Sequence, residues 1–205
     1  MLYFIVTTSI FNECLIRKEQ YINGINKLKK IIQDLNILNY KIIIVENNGN
    51  RSTFLNMLDC EVYYTENNFL QTNNKGAKEL QDIIDCINKY NINDTDFIVK
   101  MTGRYILHDN SEFMNIISNI HNTNYDCVIK YGWYSKPANY KMNDCIIGLI
   151  GMSCYYIKLI EKPNEDDCIE WKWAKVTNLI DDTKICLVNN LDIDICPGSN
   201  NYFKI

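Results

Sequence analysis

The stretch Lys41-Ile-Ile-Ile-Val-Glu-Asn-Asn-Gly49 decides the fold. Four consecutive β-branched residues, Ile42 to Val45, predict a strand, and Asn47-Asn48-Gly49 predicts a turn directly after it. A run that is apolar at every position, not every second one, belongs to a strand covered on both faces. Working outward, Leu2–Val6 reads as a first buried strand, Glu61–Thr65 as a third and Phe97–Met101 as a fourth. Helices fall between them. Tyr21, Ile22, Ile25, Leu28, Ile32 and Leu35 recur at three- and four-residue spacing, as do Ala77, Leu80, Ile83, Ile84 and Ile87, and then Phe113, Ile116, Ile117 and Ile120. Strands alternating with helices predict an α/β fold with a mostly parallel sheet flanked by helices.

The second half changes character. Cys127–Tyr131 and Cys145–Ile150 read as strands, and Cys154–Ile160 as a short helix. Pro163-Asn164 is expected to open a helix running to about Ile180, with Asn164 as its N-cap. Ile185–Val188 and Leu191–Ile195 read as closing strands. No linker or repeat interrupts the 205 residues. The expectation is one domain over 1–205, with a nucleotide-binding half at 1–125 and a mixed acceptor-side half at 126–205.

Composition narrows the function. Hydrophobic residues make up 47 % and charged ones 22 %, which is enough apolar material for a packed core. A net charge of −4 argues against a nucleic-acid partner, which requires a basic face. No apolar run is long enough to span a bilayer, and Thr7-Thr8-Ser9 interrupts the first one too early for a signal peptide. The 9 cysteines are odd in number and contain no Cys-x-x-Cys, so reduced thiols in a cytoplasmic protein are the expectation. His108 and His121 are too few to suggest a metal centre.

In open α/β sheets, ligands bind beyond the carboxyl ends of the strands. At those ends stand Thr7-Thr8-Ser9, Glu46-Asn47-Asn48-Gly49 and Thr102-Gly103-Arg104, with Asn73-Asn74-Lys75-Gly76 at the start of the second helix. Singly, each fits a cap or a turn. Together they form one polar mouth suited to a nucleotide diphosphate. Lys75 and Arg104 would neutralise phosphate oxygens, Arg17 lies within reach after the first strand, and Glu46 could accept a ring N–H of uracil. There is no Gly-x-Gly-x-x-Gly and no P-loop, which sets aside dinucleotide-binding and P-loop folds.

This layout resembles the GT-A type of glycosyltransferase, within the nucleotide-diphospho-sugar transferases. Ile42-Ile-Ile-Val-Glu-Asn-Asn-Gly49 resembles that fold's second strand. Asn74-Lys-Gly-Ala77 resembles its helix start, and Thr95-Asp-Phe-Ile-Val-Lys-Met-Thr-Gly-Arg-Tyr105 is similar to a strand of polysaccharide and viral transferases. Gly148-Leu-Ile-Gly-Met152 and Ile169-Glu-Trp-Lys-Trp-Ala174 resemble the acceptor-side strand and helix. The resemblance implies transfer of a sugar from a nucleotide diphosphate sugar, uridine-linked by expectation, to a hydroxyl acceptor such as a glycan. It implies nucleotide-sugar contacts from Thr7, Thr8, Ser9, Arg17, Glu46, Asn47, Asn74, Lys75, Lys100, Thr102, Gly103 and Arg104.

One departure from the pattern matters. Many GT-A enzymes carry Asp-x-Asp after the fourth strand to hold a divalent metal, and here Thr102-Gly103-Arg104 takes that place. The literal match Asp94-Thr95-Asp96 precedes the strand and is expected in a turn at the amino end. Either Arg104 and Lys100 supply the positive charge, or Mn2+ or Mg2+ is held by residues still unidentified. Lys100 fits a sheet-face residue equally well.

Glu170 sits beside Ile169, Trp173, Val176 and Ile180, where aromatic neighbours partly desolvating a carboxylate would make it a better proton acceptor. The resemblance places the base of an inverting transferase in this region, with Asp144 as the alternative. A surface glutamate in a helix is the competing reading. Trp133, Tyr134, Tyr140 and Trp171 are candidates for stacking on an acceptor sugar, and Trp173 fits the core. The opposing hypothesis is a non-catalytic, degenerate transferase that recognises a glycan or a protein. A sugar nucleotidyltransferase is a third.

Overall fold

The computed structural model describes residues 1–11, 14–132, 140–196 and 201–205. Its strands and helices are, in order, β1 (Leu2–Thr8), α1 (Leu15–Asp34), β2 (Tyr40–Glu46), β3 (Glu61–Tyr64), α2 (Lys75–Lys89), β4 (Phe97–Thr102), β5 (Ile106–Leu107), α3 (Glu112–Ser118), β6 (Cys127–Ile129), β7 (Leu149–Ser153), α4 (Cys154–Ile157), α5 (Ile169–Val176), β8 (Ile185–Leu187), β9 (Ile193–Ile195) and β10 (Phe203–Lys204). A seven-stranded sheet runs β3-β2-β1-β4-β7-β6-β8. β3, β2, β1 and β4 are mutually parallel, and β7 is reversed between β4 and β6. The sheet is mixed, mostly parallel and flanked by helices, as the alternating pattern predicts. A small sheet, β10-β9-β5, is antiparallel throughout.

Side chains alternate across each strand, and this sorts the core into two layers. Leu2, Phe4 and Val6 of β1, with Ile42 and Ile44 of β2, pack on Ile25, Leu28 and Ile32 of α1 and on Phe113 and Ile117 of α3. Tyr3 and Ile5, with Ile43 and Val45, pack on Leu80, Ile83 and Ile87 of α2 and on Trp173 of α5. Phe4, Ile5, Ile43, Ile44 and Val45 are wholly buried, and each contributes roughly 1.5–3 kcal/mol of transfer free energy.

The second half requires two corrections. The expected strand over Cys145–Ile150 begins instead at Leu149, because β4 offers no partner beyond the Met101↔Leu149 pair. The Gly148 carbonyl takes the Thr102 N–H, the Ile147 carbonyl turns to the Lys100 ammonium, and Cys145 keeps a lone bridge to Tyr131. The expected helix from Asn164 begins only at Ile169. Asn164 N–H donates to Asp167 in a separate turn, and its carbonyl accepts from the Asn74 side chain, so it caps no helix. A helix opened at Asn164 would have put Glu170 past its first turn, whereas Glu170 lies in the first turn of α5. Among the described residues, no helix is long and apolar enough to cross a membrane.

Helix α1 approaches the β4–β5 connection closely at Gly24. A Cβ there would lie 2.4 Å from the Gly103 carbonyl oxygen and 2.6 Å from that of Tyr105. Both are backbone atoms and cannot swing aside. Gly24→Ala is expected to lower stability by about 3 kcal/mol or more in urea denaturation; a loss under ~1 kcal/mol would show that the two segments part easily.

Candidate functional site

A cavity of about 610 Å³ opens at the carboxyl ends of β1, β2 and β4. Of the sequence-predicted residues, Thr7, Thr8, Ser9, Arg17, Asn47, Lys75, Lys100, Thr102, Arg104 and Glu170 line it, and so does Asp144. Glu46, Asn74 and Gly103 do not. Trp171 is exposed beside Glu170, Tyr140 is exposed elsewhere on the surface, and neither lines the cavity. Trp133 and Tyr134 lie outside the described residues.

Glu46 departs furthest from expectation. It is wholly buried, and its carboxylate accepts from Thr8 Oγ1 at 2.8 Å, the Ile10 N–H at 3.0 and 3.1 Å, and the Asn48 side chain at 2.7 Å. The register that pairs Thr8 with Glu46 sets this contact. The acceptor sites meant for a base are occupied by the protein's own donors. Gly103 is equally structural: its N–H donates to the Thr7 carbonyl, and a Cβ would press on Val6 and Thr8.

Asn74 caps α2, accepting the Ala77 N–H, while its amide donates to the carbonyls of Asn164 and Asp167. This joins the start of α2 to the segment before α5. Gly76 tightens the joint, since a Cβ there would meet Ile169 Cγ2 at 2.3 Å. The walls carrying Lys75 and Glu170 are thereby fixed to each other.

The cations divide into two kinds. Lys100 is buried, and its three N–H groups are committed to Glu79 at 2.8 Å, Thr102 Oγ1 at 3.1 Å and the Ile147 carbonyl at 2.8 Å. It braces the cavity floor. Arg17, Lys75 and Arg104 make no side-chain hydrogen bond or ion pair with another described residue. Three uncommitted cations around one cavity favour an anion. Tyr202 donates to the Arg104 carbonyl and braces that loop.

Sequence reasoning missed Glu79, Asp82, Lys78 and Asn68. Glu79 accepts from Thr7 Oγ1 at 2.6 Å as well as from Lys100. Asp82 accepts from Thr65 Oγ1 at 2.6 Å and from the amides of Asn67 and Asn47 at 2.9 Å each. Lys78 donates to the Asn68 carbonyl. The available signal was spacing: Lys75, Lys78, Glu79 and Asp82 follow the helical period on the edge of the apolar stripe. Burial pushes the Asp82 carboxyl up to about 6, and Glu79 adds to the rise.

On the opposite wall, burial raises the Asp144 carboxyl, and the charge of Glu170 raises it further. The Cys168 thiol donates to Glu170 Oε2 at 2.9 Å. Asp94 pairs with Lys158, and Asp96 with the N-terminal ammonium, both at the amino end of the sheet as expected. Among the described residues, no three His, Cys, Asp or Glu side chains are placed to hold a metal ion. With Thr102-Gly103-Arg104 at the β4 end, the donor set does not fit the metal-binding pattern.

The fold that places this cavity at the carboxyl ends of its strands is similar to that of solved structures. One, from Bacillus anthracis, is provisionally assigned as a glucose-1-phosphate thymidylyltransferase and is in complex with sucrose; it shares 10 % identity over 92 % of this chain and 86 % of its own, with a TM-score of 0.57. Another is a mannosyltransferase from Pyrobaculum calidifontis in complex with GDP-Man and Mn2+, at 10 % identity and TM-score 0.54, of which this chain spans 56 %. The chain has a GT-A-like fold, shared with these two structures. No protein-family model and no curated protein matches it. In this GT-A-like chain the cavity at the carboxyl ends carries Arg17, Lys75 and Arg104.

The raised acid gives a signed expectation. Folded Asp82 holds its proton to about 6, against 3.8 for the free group, so the folded state binds more protons between those values. Its contribution to stability is fullest below the lower value and is lost as pH rises through the upper one, by roughly 2–3 kcal/mol. The stability of Asp82→Asn relative to wild type should therefore rise across that window in urea denaturation. Parallel curves would refute the shift.

Proposed function

We propose that this protein is a glycosyltransferase that moves a sugar from a nucleotide diphosphate sugar, uridine-linked, to the hydroxyl of a glycan acceptor. The observation that carries the reading is the trio Arg17, Lys75 and Arg104, uncommitted around a cavity at the carboxyl ends of β1, β2 and β4. The nucleoside lies against Thr8, Ser9 and Asn47. Arg104 grips the diphosphate with its planar fork, and Lys75 and Arg17 share its charge. Lys100, already paired with Glu79, supports Thr102 and does not bind the donor itself.

Glu170 accepts the proton of the acceptor hydroxyl. The hydroxyl oxygen bonds to the anomeric carbon as the bond to the diphosphate oxygen breaks, and the cations take up the charge that develops on the leaving group. Asp144 lies on the same wall, where the negative charge of Glu170 opposes its ionisation. Exposed Trp171 offers a face to the acceptor. All nine cysteines are free thiols, which suits a cytoplasmic setting.

Uridine diphosphate near saturation should raise the melting temperature by roughly 5 °C or more. The response should survive removal of Mn2+ and Mg2+. No shift with any nucleoside diphosphate would favour a non-catalytic module, and a response to nucleoside triphosphate with release of pyrophosphate would favour a nucleotidyltransferase. Arg104→Ala should weaken diphosphate binding by about 2–4 kcal/mol in calorimetry, and unchanged affinity would remove Arg104 from the site. Glu170→Gln should bind donor normally and lose transfer by about 100-fold or more; normal turnover would pass the role to Asp144.

A further inference from the structure

Asp82 is 1 % exposed, yet it keeps a carboxylate at a place where a neutral side chain would be easier to bury. Its oxygens cross-link three segments. Oδ1 accepts from Thr65 and Asn67, beyond β3, and Oδ2 accepts from Asn47, beyond β2. Asn47 is held from its other end as well. Its Oδ1 accepts from Asn48 Nδ2 at 3.1 Å, and that same amide donates to Glu46 and to Ser9 Oγ. The Asn47 amide thus sits in a chain of fixed polarity between two buried carboxylates.

An ionised carboxylate only accepts, so it forces the amino end of Asn47 toward itself. One N–H and one lone pair of the Asn47 amide remain uncommitted, and Asn47 lines the cavity. Turning the amide over would exchange donor for acceptor there. We propose that Asp82 is a positioning residue: its ionised carboxylate locks the Asn47 amide in one orientation on the cavity wall and so selects which nucleobase edge that wall accepts. The ligand in this statement rests on the nucleotide-binding reading above. Uracil presents an imide N–H between two carbonyls, and cytosine an amino group beside a ring acceptor, so one fixed amide cannot serve both equally.

Protonation would loosen the lock at its Asp82 end, where a neutral carboxyl can donate to an amide carbonyl as readily as accept from an amino end, leaving the contact from Asn48 as the remaining hold on Asn47. Burial brings that event to about pH 6. The titratable groups facing Asp82 are Glu79, Asp85 and Cys86 on α2 and Tyr63 on β3, with Lys100 of β4 reaching it through Glu79 and Glu46 through the Asn47–Asn48 chain.

The test follows the Asn47 side-chain amide by 15N–1H NMR in the ligand-free protein, assigned by its loss in Asn47→Ser. In wild type its resonances should shift with a midpoint near pH 6. They should be pH-independent in Asp82→Asn, and Thr65→Val, which removes a donor to the carboxylate, should move the midpoint upward. Resonances that stay flat in wild type between about pH 5 and pH 8 would overturn the lock without recourse to any variant. The affinity ratio of uridine diphosphate to cytidine diphosphate, which cancels the titration of their shared phosphates, should change about threefold or more across that range in wild type and not in Asp82→Asn. A constant wild-type ratio would overturn base selection. Failure of every nucleoside diphosphate to bind would overturn the nucleotide reading and base selection with it, while the lock still stands or falls on the Asn47 resonances.

Discussion

The buried carboxylate of Glu46 ties the ends of β1 and β2 together at the mouth of this protein. Glu46 ends β2, with no exposure to solvent, and gathers donors from the ends of two neighbouring strands: the Thr8 hydroxyl, the Ile10 N–H and both the backbone and side-chain N–H of Asn48. Arg51 approaches the same oxygens from outside. A buried charge is costly to leave unpaired, and these bonds make its burial tolerable. They also fix where the chain turns after β1 and β2. The loops that would embrace a ligand are therefore set before any ligand arrives, which lowers the ordering cost of binding.

The two-residue period of the strands distributes the remaining polar groups. Thr7, Asn47, Lys100 and Thr102 fall on the face shared with α2, where Glu79 and Asp82 meet them. Thr8 and Glu46 fall on the face shared with α1. Each face of the sheet changes from apolar to polar at its carboxyl end, so two hydrophobic layers open into one hydrophilic cavity. Elsewhere Lys27 pairs with Asp109 and Lys158 with Asp94, and at the mouth Lys78 and Lys100 have partners of their own, while Arg17, Lys75 and Arg104 make no ion pair with a described residue.

Much of this was legible in the sequence. β1, β2 and β4 announce themselves because both faces are covered and their runs are nearly all apolar, with Lys100 the one break inside Phe97–Met101. α2 is equally plain, for its stripe of Ala77, Leu80, Ile83 and Ile87 is regular. What failed depended on distant partners. β7 starts at Leu149 because β4 ends opposite it, a fact of register that no local pattern carries. α5 starts late because Asn164 and Asp167 satisfy each other and Asn74. β5 and β10 are two residues long, too short for any periodicity. At the site, residue type pointed correctly to Arg104, Lys75 and Asn47 as lining the mouth. It could not tell that the donors around Glu46 and the acceptors around Lys100 come from the protein itself, since only the folded neighbourhood counts hydrogen bonds.

On the proposed reading, the carboxyl-end cavity is a nucleotide-sugar site whose anion contacts come from the uncommitted Arg17, Lys75 and Arg104. A crystal structure of the protein with a nucleoside diphosphate tests it most directly. The expected result places phosphate oxygens within about 3 Å of the Arg104 guanidinium and the Lys75 ammonium, with the base against Asn47. A nucleotide bound elsewhere on the molecule, with Arg104 and Lys75 still facing solvent, would contradict it.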